Sequence, residues 1–295
     1  MITLLRNTRS HLRTIRKEVI ADPLNQGQRL HFLKDYVLWH LSYKYANRRW
    51  LIQFENGLHS YVYPYPDHDA GEVNIWTRNV DFYDTDFIRR HLNPGDFIVD
   101  AGCNVGNRTW ALADIIGGAL LIDAGKAAIN RVRENIQLNQ LPAEKYHVVE
   151  KAVGAAPGTI HFSDLGGANT CNKVIGEDEL HSSVPLIAVE MTTIDREIEK
   201  IGILPTFIKT DVEGQDLAAL QGAVITLRSG TVRLVKFEHN QSESLDLILE
   251  FFGGLGWQVF ALDRQGKATM EHSYMQKNMN LFAAPDEYYR QRVTR

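Results

Sequence analysis

Three short segments of the 295-residue chain carry residue types whose spacing could do chemistry. The first is Asp100-Ala101-Gly102-Cys103-Asn104-Val105-Gly106, between an apolar run and a helix-like one. Gly102 lets a ligand approach bare backbone, Asn104 tolerates a left-handed conformation, and Gly106 permits close helix packing. A dinucleotide fingerprint needs Gly-x-Gly-x-x-Gly, whereas this segment has Gly-x-x-x-Gly with an acid two positions before the first glycine. A helix start facing pyrophosphate welcomes anions; Asp100 repels them and suits a ligand that bears an ammonium group. The second segment ends at Asp123, 21 positions after Gly102. That is about the ~20-residue offset at which an acid receives ribose hydroxyls in doubly wound folds. Nicotinamide and methyl-donor cofactors share that ribose, so Asp123 alone does not choose between them. With the ammonium argument, S-adenosylmethionine is the expected ligand.

The third segment is Phe207-Ile208-Lys209-Thr210-Asp211-Val212-Glu213-Gly214. It delivers two carboxylates where an apolar run ends, and Gly214 frees the turn that follows. Asp211, Glu213, Glu238 and His239 are the candidates for a general base beside the ligand cleft. His239 can titrate near neutrality, with a structural hydrogen bond as its equal alternative. Lys209 is expected to pair with a carboxylate. Asp211 with Glu213 could hold a divalent cation, but hard cations want several more oxygens, and no metal is assigned. Glu150 is expected near the adenine or at the surface, while Tyr83 and Asp84 could flank the cofactor. His59, His161 and His181 receive no role.

The elements that must position these residues follow from pattern. Apolar runs at Phe97–Ala101, Ala119–Asp123, Tyr146–Ala152, Phe207–Asp211 and Val232–Glu238 read as parallel strands buried on both faces. Between them, 108–116, 127–139, 215–228 and 242–252 read as helices. Gly256–Leu262 and Met279–Ala284 pair as an antiparallel hairpin with a long loop. Before this unit, residues 2–20 form a basic amphipathic helix ending at Pro23, with Leu5, Leu12, Ile15 and Val19 on one side. Leu30, Leu33, Val37 and Leu41 mark the apolar stripe of a second helix. Trp50–Phe54 and Leu58–Tyr63 flank Asn56-Gly57 as a β-hairpin. Asp84–Leu92 form a short helix. The boundary expected at Pro64 and Pro66 separates an N-terminal helical and hairpin extension, residues 1–80, from a second domain, residues 81–295. Tyr61–Tyr65, Trp76 and Phe82 serve either as part of a substrate lid or as packing under the N-terminal helices.

Composition narrows the class. With 44% hydrophobic and 23% charged residues the chain has material for a core, which excludes disorder and collagen-like repeats. Two cysteines, Cys103 and Cys171, are too few for a stapled secreted framework, and no zinc-site spacing occurs. No apolar stretch reaches the ~18 residues of a membrane span. Arg6, Arg9, Arg13 and Arg16 leave no room for the apolar region of a secretory signal, so a cytoplasmic location is expected. Residues 1–50 hold ten Lys and Arg against three acids, net +7, while the rest of the chain carries −11. An acidic body argues against nucleic acid as the main partner. The basic end is read as a solvated helix face, with an acidic partner, an anionic membrane surface or homodimerisation through the N-terminal helices as alternatives.

Asp100 to Gly106, Asp123, and the run from Ile208 to Ala223 (Ile-Lys-Thr-Asp-Val-Glu-Gly-Gln-Asp-Leu-Ala-Ala-Leu-Gln-Gly-Ala) together resemble the FkbM family of S-adenosylmethionine-dependent methyltransferases. The resemblance covers roughly residues 80–284. It implies an α/β, Rossmann-like class I methyltransferase fold: a mostly parallel seven-stranded sheet with helices on both faces. It also implies O-methylation of a small molecule, natural product or glycan. By that match Asp100, Gly102, Asn104 and Gly106, with Cys103 in the same loop, lie along the methionine part of the cofactor. Asp123 binds its ribose, and Asp211 and Glu213 line the reacting side. Asp123-Ala124 stands where the family often has Glu-Pro, which shortens the reach to the ribose. Cys103 stands where Ala is common and is read as a small buried hydrophobe. Two alternatives remain. A nucleic-acid methyltransferase would commonly carry an Asn/Asp-Pro-Pro-aromatic run after the fourth strand, where Asp-Val-Glu-Gly stands. A non-catalytic cofactor-binding scaffold would dock through the basic helix.

Overall fold

The computed structural model describes residues 16, 20, 27–46, 48–63, 74–75, 82–163, 165–169, 172–175, 185–240 and 244–294. The helix expected over residues 2–20, the prolines at 23, 64 and 66, and Tyr65, Trp76, Cys171 and His181 lie outside them, apart from Arg16 and Ile20, which are exposed.

Helix α1 (Arg29–Ala46) forms where the second stripe predicts a helix, but a different face is buried. Leu30 is 83% exposed, and Val37 and Leu41 are also exposed, while Phe32, Tyr36 and Trp39 are buried. The aromatic face wins because each large ring removes more apolar surface from water than a leucine does. Strands β1 (Trp50–Gln53) and β2 (His59–Val62) pair antiparallel, Trp50 opposite Val62. Their loop turns at Asn56-Gly57, as expected. Gly57 alone has positive φ, 86°, and its N–H donates to the Phe54 carbonyl, as in a three-residue loop. Asn56 is freed to donate to the Trp110 carbonyl at 2.7 Å, fastening the hairpin to the body. Tyr61 and Tyr63 pack under the guanidiniums of Arg49 and Arg131, each 3.8 Å from a ring centre.

After α2 (Phe82–His91) come β3 (Phe97–Ala101), α3 (Asn107–Leu112), β4 (Gly118–Asp123), α4 (Lys126–Leu138) and β5 (Tyr146–Glu150). The strand expected through Ala152 breaks at Lys151, whose N–H donates to the Asp123 carbonyl. Four strands not foreseen follow: β6 (Ala152–Val153), β7 (Gly158–Ser163), β8 (Val174–Ile175) and β9 (Leu186–Thr192) form a separate sheet in the order β6-β9-β7-β8. Helix α5 (Ile194–Ile201) and β10 (Phe207–Thr210) return the chain to the main sheet. The single helix expected over 215–228 is two, α6 (Asp216–Gln221) and α7 (Val224–Arg228). They part at Gly222, where a Cβ would lie 2.2 Å from the Gly154 carbonyl oxygen. Then come β11 (Leu234–Glu238), α8 (Leu245–Gly254), β12 (Trp257–Leu262), β13 (Ala268–Thr269), α9 (His272–Met275) and β14 (Asn280–Pro285), followed by helical turns at Asp286–Tyr288 and Tyr289–Val293.

The main sheet runs β13-β12-β14-β11-β10-β3-β4-β5. Its five strands from β11 to β5 are parallel, while β14, β12 and β13 pair antiparallel. Seven strands thus form the expected framework, with two-residue β13 at one edge. β12 and β14 pair as foreseen. Apolar side chains alternate between the faces. Ile98, Phe207, Phe260 and Phe282 join a cluster with α1, α2, α4 and the hairpin, whereas Val99, Ile208, Val235 and Phe237 join one with α5 to α8. From β3 the order steps one way to β4 and β5 and then the other way to β10 and β11, so the carboxyl ends of β3 and β10 flank the crevice where such sheets bind ligands.

Candidate functional site

At that crevice the turn after β3 is built for close approach. Gly102 has φ 70°, Asn104 47° and Gly106 84°. A Cβ on Gly102 would lie 1.8 Å from the Asp211 carbonyl oxygen, and one on Gly106 would meet the Trp110 ring. The N–H groups of Gly102 and Cys103 both donate to the Ile122 carbonyl, holding the turn against β4. Cys103 is buried, and burial pushes its thiol well up, which fits a packing role.

Asp100 is 1% exposed, and its partners come from within the protein: Thr109 Oγ1 donates at 2.8 Å and Lys209 Nζ lies at 3.1 Å. The ammonium group it faces is therefore Lys209, and Asp100 acts from beneath the turn. Lys209 also donates to the Gly102 carbonyl at 2.8 Å and lies 3.5 Å from Asp211. Burial opposes its charge, but Asp100 and Asp211 outweigh this and hold Lys209 above the usual lysine range.

Asp123 ends β4 directly beside Glu150 at the end of β5. Its two oxygens accept from the backbone N–H groups of Asn104, at 2.8 Å, and Gly125, at 2.7 Å. Burial pushes its carboxyl up, against the pull of those donors. Glu150 is exposed, 3.8 Å from Arg133. Asn104 donates from its amide to the Ala168 carbonyl at 2.9 Å, so the second sheet's loop rests on the glycine turn.

On the other side, Asp211, Glu213 and Glu238 each bring a carboxylate oxygen within 4.8 Å of the others. Glu213 sits at φ 53°, a conformation costly for a residue with a side chain. Asp216, fully buried, accepts from the N–H groups of Val212 and Glu238 and so ties the acidic turn to β11. Burial raises Asp211, but Lys209, then Lys236 and Arg108, hold it below the usual carboxylate range. Glu213 is raised by burial and by Asp211. Glu238 is pushed up to about 8, by burial first and then by Asp211, Glu213 and Asp216. Its Oε2 is buried with no hydrogen-bond partner among the described residues. A divalent cation could bridge three such carboxylates, but three ligands are half of what a hard cation takes, and none is assigned.

A supporting row lies one level below this rim; sequence reasoning named Asp100 and Lys209, with Lys209 paired to a carboxylate as expected, but missed Lys236 and Asn280. Asp100, Lys209 and Lys236 are register partners on β3, β10 and β11. Lys236, 1% exposed, donates to Asn280 Oδ1 at 3.0 Å; Asn280 in turn donates to Asp84 at 2.8 Å. Asp84 thus braces Lys236, and Tyr83 lies against Gly266 in the β12–β13 turn. A lysine inside Leu234-Val235-Lys236-Phe237 was the available signal, since a buried ammonium demands partners. His239 follows β11, 4% exposed, with Nδ1 3.4 Å from the Asn278 carbonyl.

The donor set fits S-adenosylmethionine. Acceptor-only carboxylates at Asp123 and Glu150 match a ribose diol, and ionised Asp211 matches a cation, whereas this acidic rim would repel a pyrophosphate. The fold is the class I, Rossmann-like methyltransferase fold.

Residues 100–259, more than half of the chain, match the family described as methyltransferase FkbM domain. The protein belongs to that family, whose cofactor is S-adenosylmethionine. Among solved structures, the methyltransferase FkbM from Methylobacillus flagellatus KT is 16% identical with a TM-score of 0.45. That match covers 64% of this chain but only 43% of the other, so the chain spans less than half of that protein's length. SMU.1697c from Streptococcus mutans, solved in complex with SAH, is 12% identical with a TM-score of 0.43, covering 70% of this chain and 98% of the other. No curated protein is significantly similar to the chain. No helix among the described residues is long and apolar enough to cross a membrane.

Proposed function

We propose that the protein is an S-adenosylmethionine-dependent O-methyltransferase acting in the cytoplasm on a hydroxyl group of a small molecule, natural product or glycan. The observation that carries this reading is the carboxylate rim at the sheet's switch point, with Asp123 on one side of the glycine turn and Asp211, Glu213 and Glu238 on the other. Asp123 and Glu150 would hold the ribose and adenine end, and the turn from Gly102 to Gly106 with Asp211 the methionine end. Held there, S-adenosylmethionine would supply an electrophilic methyl group for the acceptor oxygen, with its sulfur as the leaving group.

The chain's own part is positioning and proton handling. Most of the acceleration of such a displacement comes from alignment, with effective molarities of ~10⁵ M or more. His239 takes the acceptor's proton. A carbonyl can only accept, so Nδ1 facing Asn278 carries the hydrogen, and Nε2 is left with its lone pair. Glu238 stays largely protonated near neutral pH, which limits repulsion within the acidic cluster, while Asp211 remains ionised to receive positive charge.

Isothermal titration of the full chain with S-adenosylmethionine, S-adenosylhomocysteine and NAD tests the reading. Binding of both sulfur compounds with no heat from NAD is expected. A response to NAD alone would overturn it.

A further inference from the structure

Beyond the carboxyl end of β11 a cleft of about 490 Å³ opens between the amino end of α8 and the α9–β14 connection. Six of its lining side chains are polar: His239, Ser244, Asp246, His272, Gln276 and Lys277. His239 is the one buried residue of these six. Its Nδ1 faces the Asn278 carbonyl at 3.4 Å, and among the described residues Nε2 has no hydrogen-bond partner on a side chain that lines the cleft. The cleft's lining includes His239, the residue that follows Glu238, and none of the rim's acids.

This lining differs from that of an ordinary small-molecule pocket, which is mainly apolar and aromatic with few polar groups. Among the described residues no Phe, Tyr or Trp lines it. A flat phenolic acceptor would find no ring to stack on, and its apolar faces would displace water from groups that need hydrogen bonds. A ring carrying several hydroxyls has the opposite fit. Lys277 supplies donors, Asp246 acceptors, and Gln276 and Ser244 supply both. His272 lies 3.2 Å from Asp246, which orients that pair along one wall.

Resting on the methyltransferase reading, we infer that this cleft seats the methyl acceptor, and that the acceptor is a hydroxyl-rich ring of the sugar or cyclitol class. One hydroxyl meets His239 Nε2, and its neighbours are held by Gln276 and Lys277. These two residues are exposed and act in binding, so they set acceptor specificity and leave the cofactor turn untouched.

Saturation-transfer NMR on the full chain with S-adenosylhomocysteine present tests this, using methyl α-glucopyranoside, myo-inositol and catechol as probes. The glycoside and the cyclitol should receive saturation and catechol should not. In the double variant Gln276→Ala/Lys277→Ala their signals should fall about fivefold or more, the effect of losing one or two hydrogen bonds, with S-adenosylhomocysteine affinity unchanged. Signals for catechol alone, no signal for either polyol, or polyol signals indifferent to the double variant would each overturn the inference. A calorimetric titration of S-adenosylhomocysteine reads the other reading separately: lack of binding would sink the methyltransferase reading, whereas silent polyols on a loaded protein would sink only the acceptor class.

Discussion

Lys209 and Lys236 stand side by side on neighbouring parallel strands, both buried, an arrangement that repels unless anions surround it. Asp100 and Asp211 meet the first, and Asp84 with Asn280 the second. Each buried charge is costly alone and tolerable only in company. The consequence reaches the rim above, where the lysines hold Asp211 ionised while Glu238, beside three other acids, keeps its proton to about pH 8. Glu238 titrates near 4.5 when free, so the folded chain binds one more proton than the unfolded chain between that value and about 8. Its contribution to stability is therefore full below pH 4.5 and lost as pH rises through about 8. Melting temperatures between pH 6 and 9 should fall more steeply in the wild type than in Glu238→Gln, which has no proton to lose. Parallel curves for the two proteins would show that Glu238 titrates normally.

At the scale of elements, the short helix α7 begins with help from outside itself. Asp195, on α5, accepts from the N–H groups of Ile225 and Thr226 at 2.9 and 2.7 Å, serving as a cap supplied across a helix pair. Asp195→Ala should cost about 1–2 kcal/mol in urea unfolding, within the range for losing a helix cap, with no change in S-adenosylhomocysteine affinity. This cap was beyond sequence reasoning because it joins residues thirty positions apart. The helix that carries it was legible and overlooked: Thr193 caps its amino end, Ile194, Ile198 and Ile201 form its stripe, and Gly202 ends it at φ 68°. The five parallel strands were readable because doubly buried strands are continuous apolar runs, and the glycine turn because positive φ selects its residues. The second sheet was not, since two of its strands have only two residues each and the two longer ones are half-exposed, without a continuous apolar run. In the site, the rim carboxylates were named from their place at strand ends, whereas the row beneath depends on register between strands, which one strand's sequence does not contain.

For the whole molecule, composition suggests a division near residue 80, while packing on the described residues runs across it. One hydrophobic cluster contains Tyr36 and Trp39 of α1, Ile52, Phe54 and Val62 around the hairpin, Phe87 of α2, and Phe260 and Phe282 of the antiparallel strands. Phe87 lies 5.3 Å from Phe282 and 5.8 Å from Phe260, and the rings of Phe260 and Phe282 stack at 5.7 Å. The hairpin is further tied to α4, where Asn135 and Asn139 accept from the N–H groups of Tyr61 and His59. Shared core of this kind makes segments unfold together, because neither can keep its buried face without the other. Phe282→Ala, a truncation at a fully buried ring, should cost about 3–5 kcal/mol. If residues 50–63 belong to the same cooperative unit as the sheet, hydrogen-exchange mass spectrometry should show their peptides losing protection by the same free energy as peptides from β14 and β11. Loss confined to the sheet peptides, with the hairpin peptides unchanged, would make the N-terminal part an independently stable extension and return the boundary to the prolines.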